Sequence, residues 1–306
     1  MNQLVVLGSV NADHVLRVPH FPRPGETLCG HSYQVLPGGK GANQAVAAAR
    51  LGADIGFIAR IGDDAIGHQM RDGFARDGIN VSAVECDPAL PTGIAIIYVS
   101  DEGENSIGIS AEANGALTPA VVEQHAALIA DANTLLLQLE VPLASVQRAA
   151  EVARAGGTRV VLNPAPAQPL PPALLALVDL ITPNQTEAEL LTGISVTDEA
   201  SARLAAERFH AMGIQSVMIT MGSQGVYVSE GGQAALVPGF RVSATDTTAA
   251  GDTFNGAFLA EQLRGSDTHS AIRFAHAAAA ISVTRFGAQS SIPTLDEVTA
   301  FLKERG

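Results

Sequence analysis

The segment Asp246-Thr247-Thr248-Ala249-Ala250-Gly251-Asp252-Thr253-Phe254 leads small residues and a glycine straight onto an aspartate, at the expected start of a helix ending at Leu263. Without bulky side chains, the N–H groups of Ala249, Ala250, Gly251 and Asp252 can close on an anion, and the helix dipole favours negative charge there. A carboxylate in the same place would repel that anion unless it has a role of its own. One role is to take a proton from an alcohol as the alcohol attacks a phosphoryl group. The other is to cap the helix, and this segment alone does not separate the two.

A second glycine-rich segment, Gly38-Gly39-Lys40-Gly41-Ala42-Asn43-Gln44-Ala45, holds one of only two lysines among 18 cationic residues; the other, Lys303, lies in a charged C-terminal stretch. A lysine amid arginines suits a place that needs a compact, three-donor ammonium. Asn11 and Asp13, Gln138 and Glu140, Asn163, Asn184 and Glu187, and Thr220 to Gly225 all fall where strands are expected to end. Ligands of open α/β sheets bind beyond those ends. Each group alone is equally well a cap or an Asx turn. Together they describe a polar crevice suited to a polyol beside a nucleotide. The chain has no P-loop, no Gly-x-Gly-x-x-Gly and no Gly-x-Ser-x-Gly elbow, which argues against the enzymes built on those loops.

Apolar strands and amphipathic helices must position these groups. Leu4 to Gly8 reads as a buried first strand with Asn11 and Asp13 at its C-terminal end, followed by a helix over 41–51 and a strand over 57–61. From Thr118 onward strands and helices alternate, and such alternation predicts a mostly parallel, Rossmann-like α/β sheet with helices on both faces. The segments 14–35 and 92–110, the latter a hairpin around Asp101-Glu102-Gly103-Glu104, interrupt this order and are expected to pair as a small separate β-sheet lid. One domain over 1–306 with that lid is the expected organisation.

The net charge of −13 argues against nucleic acid or an anionic membrane as partner, but not against ATP, whose charge Mg²⁺ and backbone amides can offset locally. Cys29 and Cys86 lack metal-type spacing and suit reduced thiols of a cytoplasmic protein. The N-terminus has no signal-peptide pattern, and no apolar run is long enough to span a membrane.

The two glycine-rich segments, in this order, resemble the paired motifs of the ribokinase-like carbohydrate kinases. Gly8-Ser9-Val10-Asn11-Ala12-Asp13, Asn163-Pro164-Ala165-Pro166-Ala167 and Ala288-Gln289-Ser290-Ser291 extend the resemblance over nearly the whole chain. It implies transfer of the ATP γ-phosphoryl group to a sugar's primary hydroxyl, with ribose the leading acceptor and fructose, deoxyribose or a nucleoside as alternatives; a sugar-binding regulator without catalysis is the reading from another class. Carried over, Asp252 is the base and the Ala249, Ala250, Gly251 and Asp252 amides form the anion hole. Asn11, Asp13, Gly39, Lys40, Asn43 and Glu140 hold the sugar. Asn184, Thr220, Gly222, Ser223, Gly225, Gly251 and His276 line the nucleotide, although a buried helix histidine explains His276 as well. Glu187 helps place Mg²⁺ through water, or simply complements its helix dipole. Asp246, Thr248, Ser282, Arg285, Gly287 and Ser291 match the family's K⁺ site. The Ala-Ala-Gly-Asp form of the anion hole departs from the Gly-Ala-Gly-Asp of many members. The resemblance also implies a homodimer formed through the lids.

Overall fold

In the computed structural model, which describes residues 3–305, β1 (Leu4–Leu7) is four apolar residues buried on both sides. Leu4 and Val6 face one hydrophobic core, Val5 and Leu7 the other, as the twofold alternation of a strand requires. β2 (Asn11–Val18) and β3 (Ser32–Gly38) follow, then α1 (Lys40–Arg50), β4 (Ile55–Gly62), α2 (Ala65–Arg76) and β5 (Asn80–Asp87). The hairpin β6 (Gly93–Ser100) and β7 (Asn105–Ser110) precedes α3 (Pro119–Gln124) and α4 (Ala126–Ala130). Next come β8 (Thr134–Leu137), α5 (Leu143–Gly156), β9 (Arg159–Leu162), α6 (Pro172–Leu175), β10 (Leu180–Ile181), α7 (Gln185–Thr192) and α8 (Glu199–Ala211). β11 (Ser216–Thr220), β12 (Val226–Glu230) and β13 (Gln233–Val237) lead into α9 (Ala250–Leu263), α10 (Thr268–Ser282) and α11 (Leu295–Arg305).

The main sheet has nine strands in the order β13-β12-β11-β10-β9-β8-β1-β4-β5, parallel from β11 to β5. Only β12 and β13 run antiparallel, as the hairpin closing one edge. α1, α9 and α10 cover one face; α5 and α8 cover the other. The second sheet, β3-β2-β6-β7, is separate and has four strands. The α/β class, the parallel sheet and the small second sheet are therefore as the alternation predicts. Among the described residues no helix is long and apolar enough to cross a membrane.

Three details differ from the sequence expectation. Asn11 and Asp13 do not end the first strand, which stops at Leu7; they begin β2, so the small sheet reaches Gly38 and its inner end carries polar residues. β5 was not expected, because the edge strand Asn-Val-Ser-Ala-Val-Glu-Cys-Asp buries few residues and lacks an apolar run. The helix expected from Thr118 to Ala130 breaks at His125, which closes α3 and opens α4.

One helix contact positions the site. A Cβ at Gly256 would lie 2.6 Å from Ala47 Cβ and 2.7 Å from Gln44 O, so only glycine lets α9 lie this close to α1. Asp252 sits one turn before Gly256, and the close approach carries it to the first turns of α1.

Candidate active site

α9 begins at Ala249, a non-glycine residue held in the left-handed region at φ 58°. Such a conformation costs roughly 1–2 kcal/mol and persists where its surroundings impose it. It stands directly before the first amides of α9. Ala250 N–H reaches Thr247 O at 3.3 Å and Thr253 N–H reaches Ala249 O at 2.8 Å. The amides of Ala249, Gly251 and Asp252 have no backbone partner among the described residues. Asp252 is not the cap: no side chain caps this helix, and Ala249 occupies that position.

The Asp252 carboxylate instead faces α1. Asn43 Nδ2 donates to Oδ2 at 3.0 Å and Gln44 Nε2 donates to Oδ1 at 2.9 Å, with Asp252 only 7% exposed. Gln44 Nε2 also donates to Asn163 Oδ1 at 2.9 Å, and Gln138 Nε2 donates to Gln44 Oε1 at 2.5 Å. Asn43 Oδ1, beside the carboxylate, is a buried acceptor without a partner. A buried acceptor left unpaired costs about 1–3 kcal/mol, which a hydroxyl-bearing ligand would recover.

Lys40 opens α1 after Gly39, whose φ of 90° suits glycine alone. Glu140 Oε2 accepts from Lys40 N–H at 3.0 Å and from Ser9 Oγ at 2.6 Å. Asn114 Nδ2 donates to Asn11 Oδ1 at 2.8 Å and fixes the side chain at the root of β2. Burial, then Glu140 and Asp252, push the Asp13 carboxyl up to about 7 against the pull of Lys40. Burial works against the Lys40 ammonium, but Asp252, Glu140, Glu187 and Asp13 hold it above its ordinary value. One cation and four acids thus share one field.

Asn184 caps α7: its side chain accepts from Glu187 N–H, and Glu187 Oε2 accepts from Asn184 N–H, each at 2.8 Å. Burial raises the Glu187 carboxyl, and the Asn184 amide and Lys40 oppose the rise. Asn184 bridges to Thr220 at the end of β11, next to the turn that holds Gly222, Ser223 and Gly225. Gly239 lies between that turn and His276, with its Cβ position 3.7 Å from Gly225 Cα and 4.0 Å from His276 Cδ2. The His276 ring is buried, and burial pushes the imidazole down to about 4 while the Pro238 backbone opposes the shift. Its ring centroid lies 5.4 Å from that of Phe254, on α9.

Asp246 Oδ1 accepts from Thr248 N–H at 2.9 Å and Thr248 Oγ1 at 2.6 Å, and Oδ2 accepts from Gly287 N–H at 2.9 Å. Thr245 and Asp246 N–H both reach Val283 O, which ties the approach to α9 onto the loop after α10. Asp246, Thr248 and Gly287 are thus directly joined. Ser282 O already accepts from Arg285 N–H, and the Ser291 hydroxyl donates its hydrogen to Ala288 O.

Residues 1–295 match the pfkB family of carbohydrate kinases. The chain belongs to that family. This kinase is 55% identical over 300 residues to the ribokinase of Haemophilus influenzae, covering 98% of each chain. It is 36% identical over 300 residues to a deoxyribokinase of Salmonella typhi, again covering 98% of each. The fold matches that of an Arabidopsis thaliana ribokinase complexed with ribose and ATP, with a TM-score of 0.93, 32% identity and 99% of both chains covered.

In this kinase, sequence reasoning passed over the residues that hold the functional groups in place. Gln44 was visible only as a letter within the glycine-rich motif, and its bond to Asp252 spans 208 positions. Asn114, which fixes Asn11, gave no signal, because single polar residues in loops are common, and Ser9, which donates to Glu140, was visible only as a letter within the motif from Gly8 to Asp13. Gln138 and Asn163 stood out as polar strand ends, and their link through Gln44 appears only in three dimensions.

Proposed function

We propose that this kinase transfers the γ-phosphoryl group of ATP to the 5-hydroxyl of D-ribose. The observation that carries the proposal is Asp252, whose carboxylate is buried and held by two side-chain amide donors beside backbone amides at the start of α9 that have no backbone partner among the described residues. A carboxylate used only to bind sugar needs no such amides. The relatives named ribokinase support ribose as acceptor, and the deoxyribokinase keeps 2-deoxyribose as a second candidate.

In the proposed reaction the ribose 5-hydroxyl gives its proton to Asp252 while its oxygen attacks the γ-phosphorus. The bond to the β–γ bridging oxygen breaks, and ADP leaves with the electron pair. The Ala249, Gly251 and Asp252 amides face the charge that develops on the transferring group, and one such donor is worth roughly 10²–10³ in rate. Lys40 adds positive charge. Asn11, Asp13, Asn43 and Glu140 accept from or donate to the sugar hydroxyls, with Gly39 allowing close approach. Asn184, Thr220, Gly222, Ser223, Gly225 and His276 line the nucleotide.

The donor chemistry suits two cations. Glu187 is an oxygen donor in the same electrostatic field as Asp252, as a hard Mg²⁺ ion held through water requires. Mg²⁺ bound there would neutralise phosphate charge. The Asp246 carboxylate, with backbone oxygens of Thr248, Ser282, Arg285 and Gly287, suits K⁺, and the Ser291 oxygen keeps its lone pairs for a cation while its hydrogen is donated to Ala288 O. A K⁺ ion there would steady the loop that shapes the anion hole.

The small sheet serves as the lid. On its face away from Asn11 and Asp13, the register brings His14, Val35 and Ile96 together, and Tyr33 follows two residues on. Tyr33 is 58% exposed and Ile96 44%. Such an apolar sheet face supports a homodimer in which two lids pair.

ATP consumption measured with pentoses, hexoses and nucleosides tests the proposal. Ribose should give the highest kcat/KM, and Asp252→Asn should lower kcat by roughly 10²–10⁴ with ribose affinity retained. Turnover that prefers 2-deoxyribose would replace the acceptor, and the absence of sugar turnover would leave a binding protein.

A further inference from the structure

Asp63, His68 and Cys86 place a carboxylate oxygen, an imidazole nitrogen and a thiol sulfur within 4.8 Å of one another. They come from three places: the turn after β4, the second turn of α2, and β5. The sequence shows no metal spacing here, because the sheet pairing of β4 with β5 creates the proximity. Their backbone is fixed independently. Asp64 caps α2 through Gly67 N–H and also accepts from Thr92 N–H at 2.7 Å, while Asp63 N–H reaches Asp87 O at 3.0 Å. Capping geometry brings the residue before a cap close to the fourth helical residue, a pairing usually filled by apolar side chains. Here the pair is Asp63 and His68, joined Nε2 to Oδ1 at 2.8 Å.

We propose that Asp63, His68 and Cys86 bind a borderline-soft divalent transition metal of the zinc class, separately from the phosphoryl-transfer site. Zinc bond lengths of about 2.0–2.3 Å put tetrahedral ligands roughly 3.5 Å apart, so a contraction of about 1 Å by side-chain rotation closes the site. Three mixed N, O and S ligands leave a fourth position for water. The thiolate selects zinc, cobalt or cadmium over the hard Mg²⁺. Binding replaces the proton of the Cys86 thiol with the metal, so affinity rises with pH. Arg71 Nη1, now 3.5 Å from Cys86 Sγ, moves off the sulfur when the metal arrives. The bound ion would join α2 to β5, next to the Thr92 junction that starts the lid hairpin.

Co²⁺ is the probe, added to the full-length protein without nucleotide. A thiolate-to-cobalt charge-transfer band should appear and saturate at one equivalent, whereas cobalt held only by oxygen ligands at the phosphoryl-transfer site gives no such band. Cys29→Ser should keep the band, Cys86→Ser should lose it, and His68→Ala and Asp63→Asn should each weaken binding by roughly tenfold or more. Unchanged metal-free unfolding midpoints show that the variants are folded. Zn²⁺ should raise the unfolding midpoint of wild type but not of Cys86→Ser. No band in wild type, or a band that survives Cys86→Ser, overturns the proposal.

Discussion

Replacing Asp13 by Asn should stabilise the ligand-free protein at neutral pH and above, and much less in acid. The Asp13 carboxyl is pushed from its ordinary 3.8 to about 7, by burial first and then by Glu140 and Asp252. A folded-state value above the unfolded one means that the folded chain holds the extra proton between those two pH values. Stability therefore falls as pH rises through that window. At 1.36 kcal/mol per tenfold, the displacement amounts to about 4 kcal/mol once pH exceeds about 7. No hydrogen bond acts on the carboxyl, so a near-isosteric amide removes the penalty without breaking a contact. His276 runs the other way. Burial lowers its imidazole from 6.5 to about 4, so its contribution is complete above 6.5 and is lost as pH falls toward 4. The two effects overlap and partly cancel in wild type, and only the difference between variant and wild type isolates Asp13. Urea unfolding from pH 4.5 to 8, without sugar or nucleotide, should show a gain of about 1 kcal/mol at pH 4.5 that grows toward about 4 kcal/mol at pH 8. A difference that does not change with pH would refute the reasoning. The same variant should bind ribose more weakly, because a hydroxyl donates more strongly to an ionised carboxylate than to the one neutral amide oxygen that replaces it.

Gln44→Leu should lower kcat by roughly ten- to a hundredfold while changing the ribose KM less than about threefold, since a hydrogen bond to a charged group is worth about 1.5–3 kcal/mol. Steady-state kinetics check this, and a KM effect with kcat unchanged would make Gln44 a sugar ligand instead of a support for Asp252. Activity in K⁺ should exceed activity in Na⁺ at equal ionic strength, and Asp246→Asn should erase the difference. Equal rates of wild type in the two salts would remove the cation site.

The sequence reading succeeded where chemistry and local structure coincide. Ala250 to Leu263 forms the expected helix, because small residues at its start and a long apolar run leave no competing periodicity. It failed where function depends on packing between distant elements. Whether Asp252 caps its helix or turns toward another element could not be read from residues 246–254. The answer lies in the contact of Gly256 with Ala47, which turns the carboxylate to Asn43 and Gln44. The place of Asn11 and Asp13 was misjudged for a related reason. The run from Leu4 to Asp13 is extended throughout except at Gly8 to Val10, and only the pairing partners show that it serves two sheets. β5 is an edge strand with exposed residues, so it lacked the apolar run that marks the central strands. The Asp63, His68 and Cys86 cluster is invisible in sequence because it rests on that same strand.

The charge balance of the site fits a sugar kinase better than a site for a bare nucleotide. Asp13, Glu140, Glu187 and Asp252 surround Lys40, so full ionisation would leave an excess of negative charge before any phosphate arrived. Two like charges 5 Å apart repel by about 3 kcal/mol at an effective dielectric of 20. The ligand-free protein relieves that repulsion by keeping a proton on Asp13 up to about pH 7. Ribose offers another relief: its hydroxyls can donate to the carboxylates and replace the proton with hydrogen bonds, without adding charge. A triphosphate cannot do this and must bring cations, in addition to the amides of α9 and the single ammonium of Lys40. The acids therefore favour a neutral polyol on their own side, and under the proposed reading the polyanion enters only at the helix start, with cations. In the proposed reaction Asp252 stands where those two regions meet, as a base shared by a hydroxyl and a phosphoryl group requires.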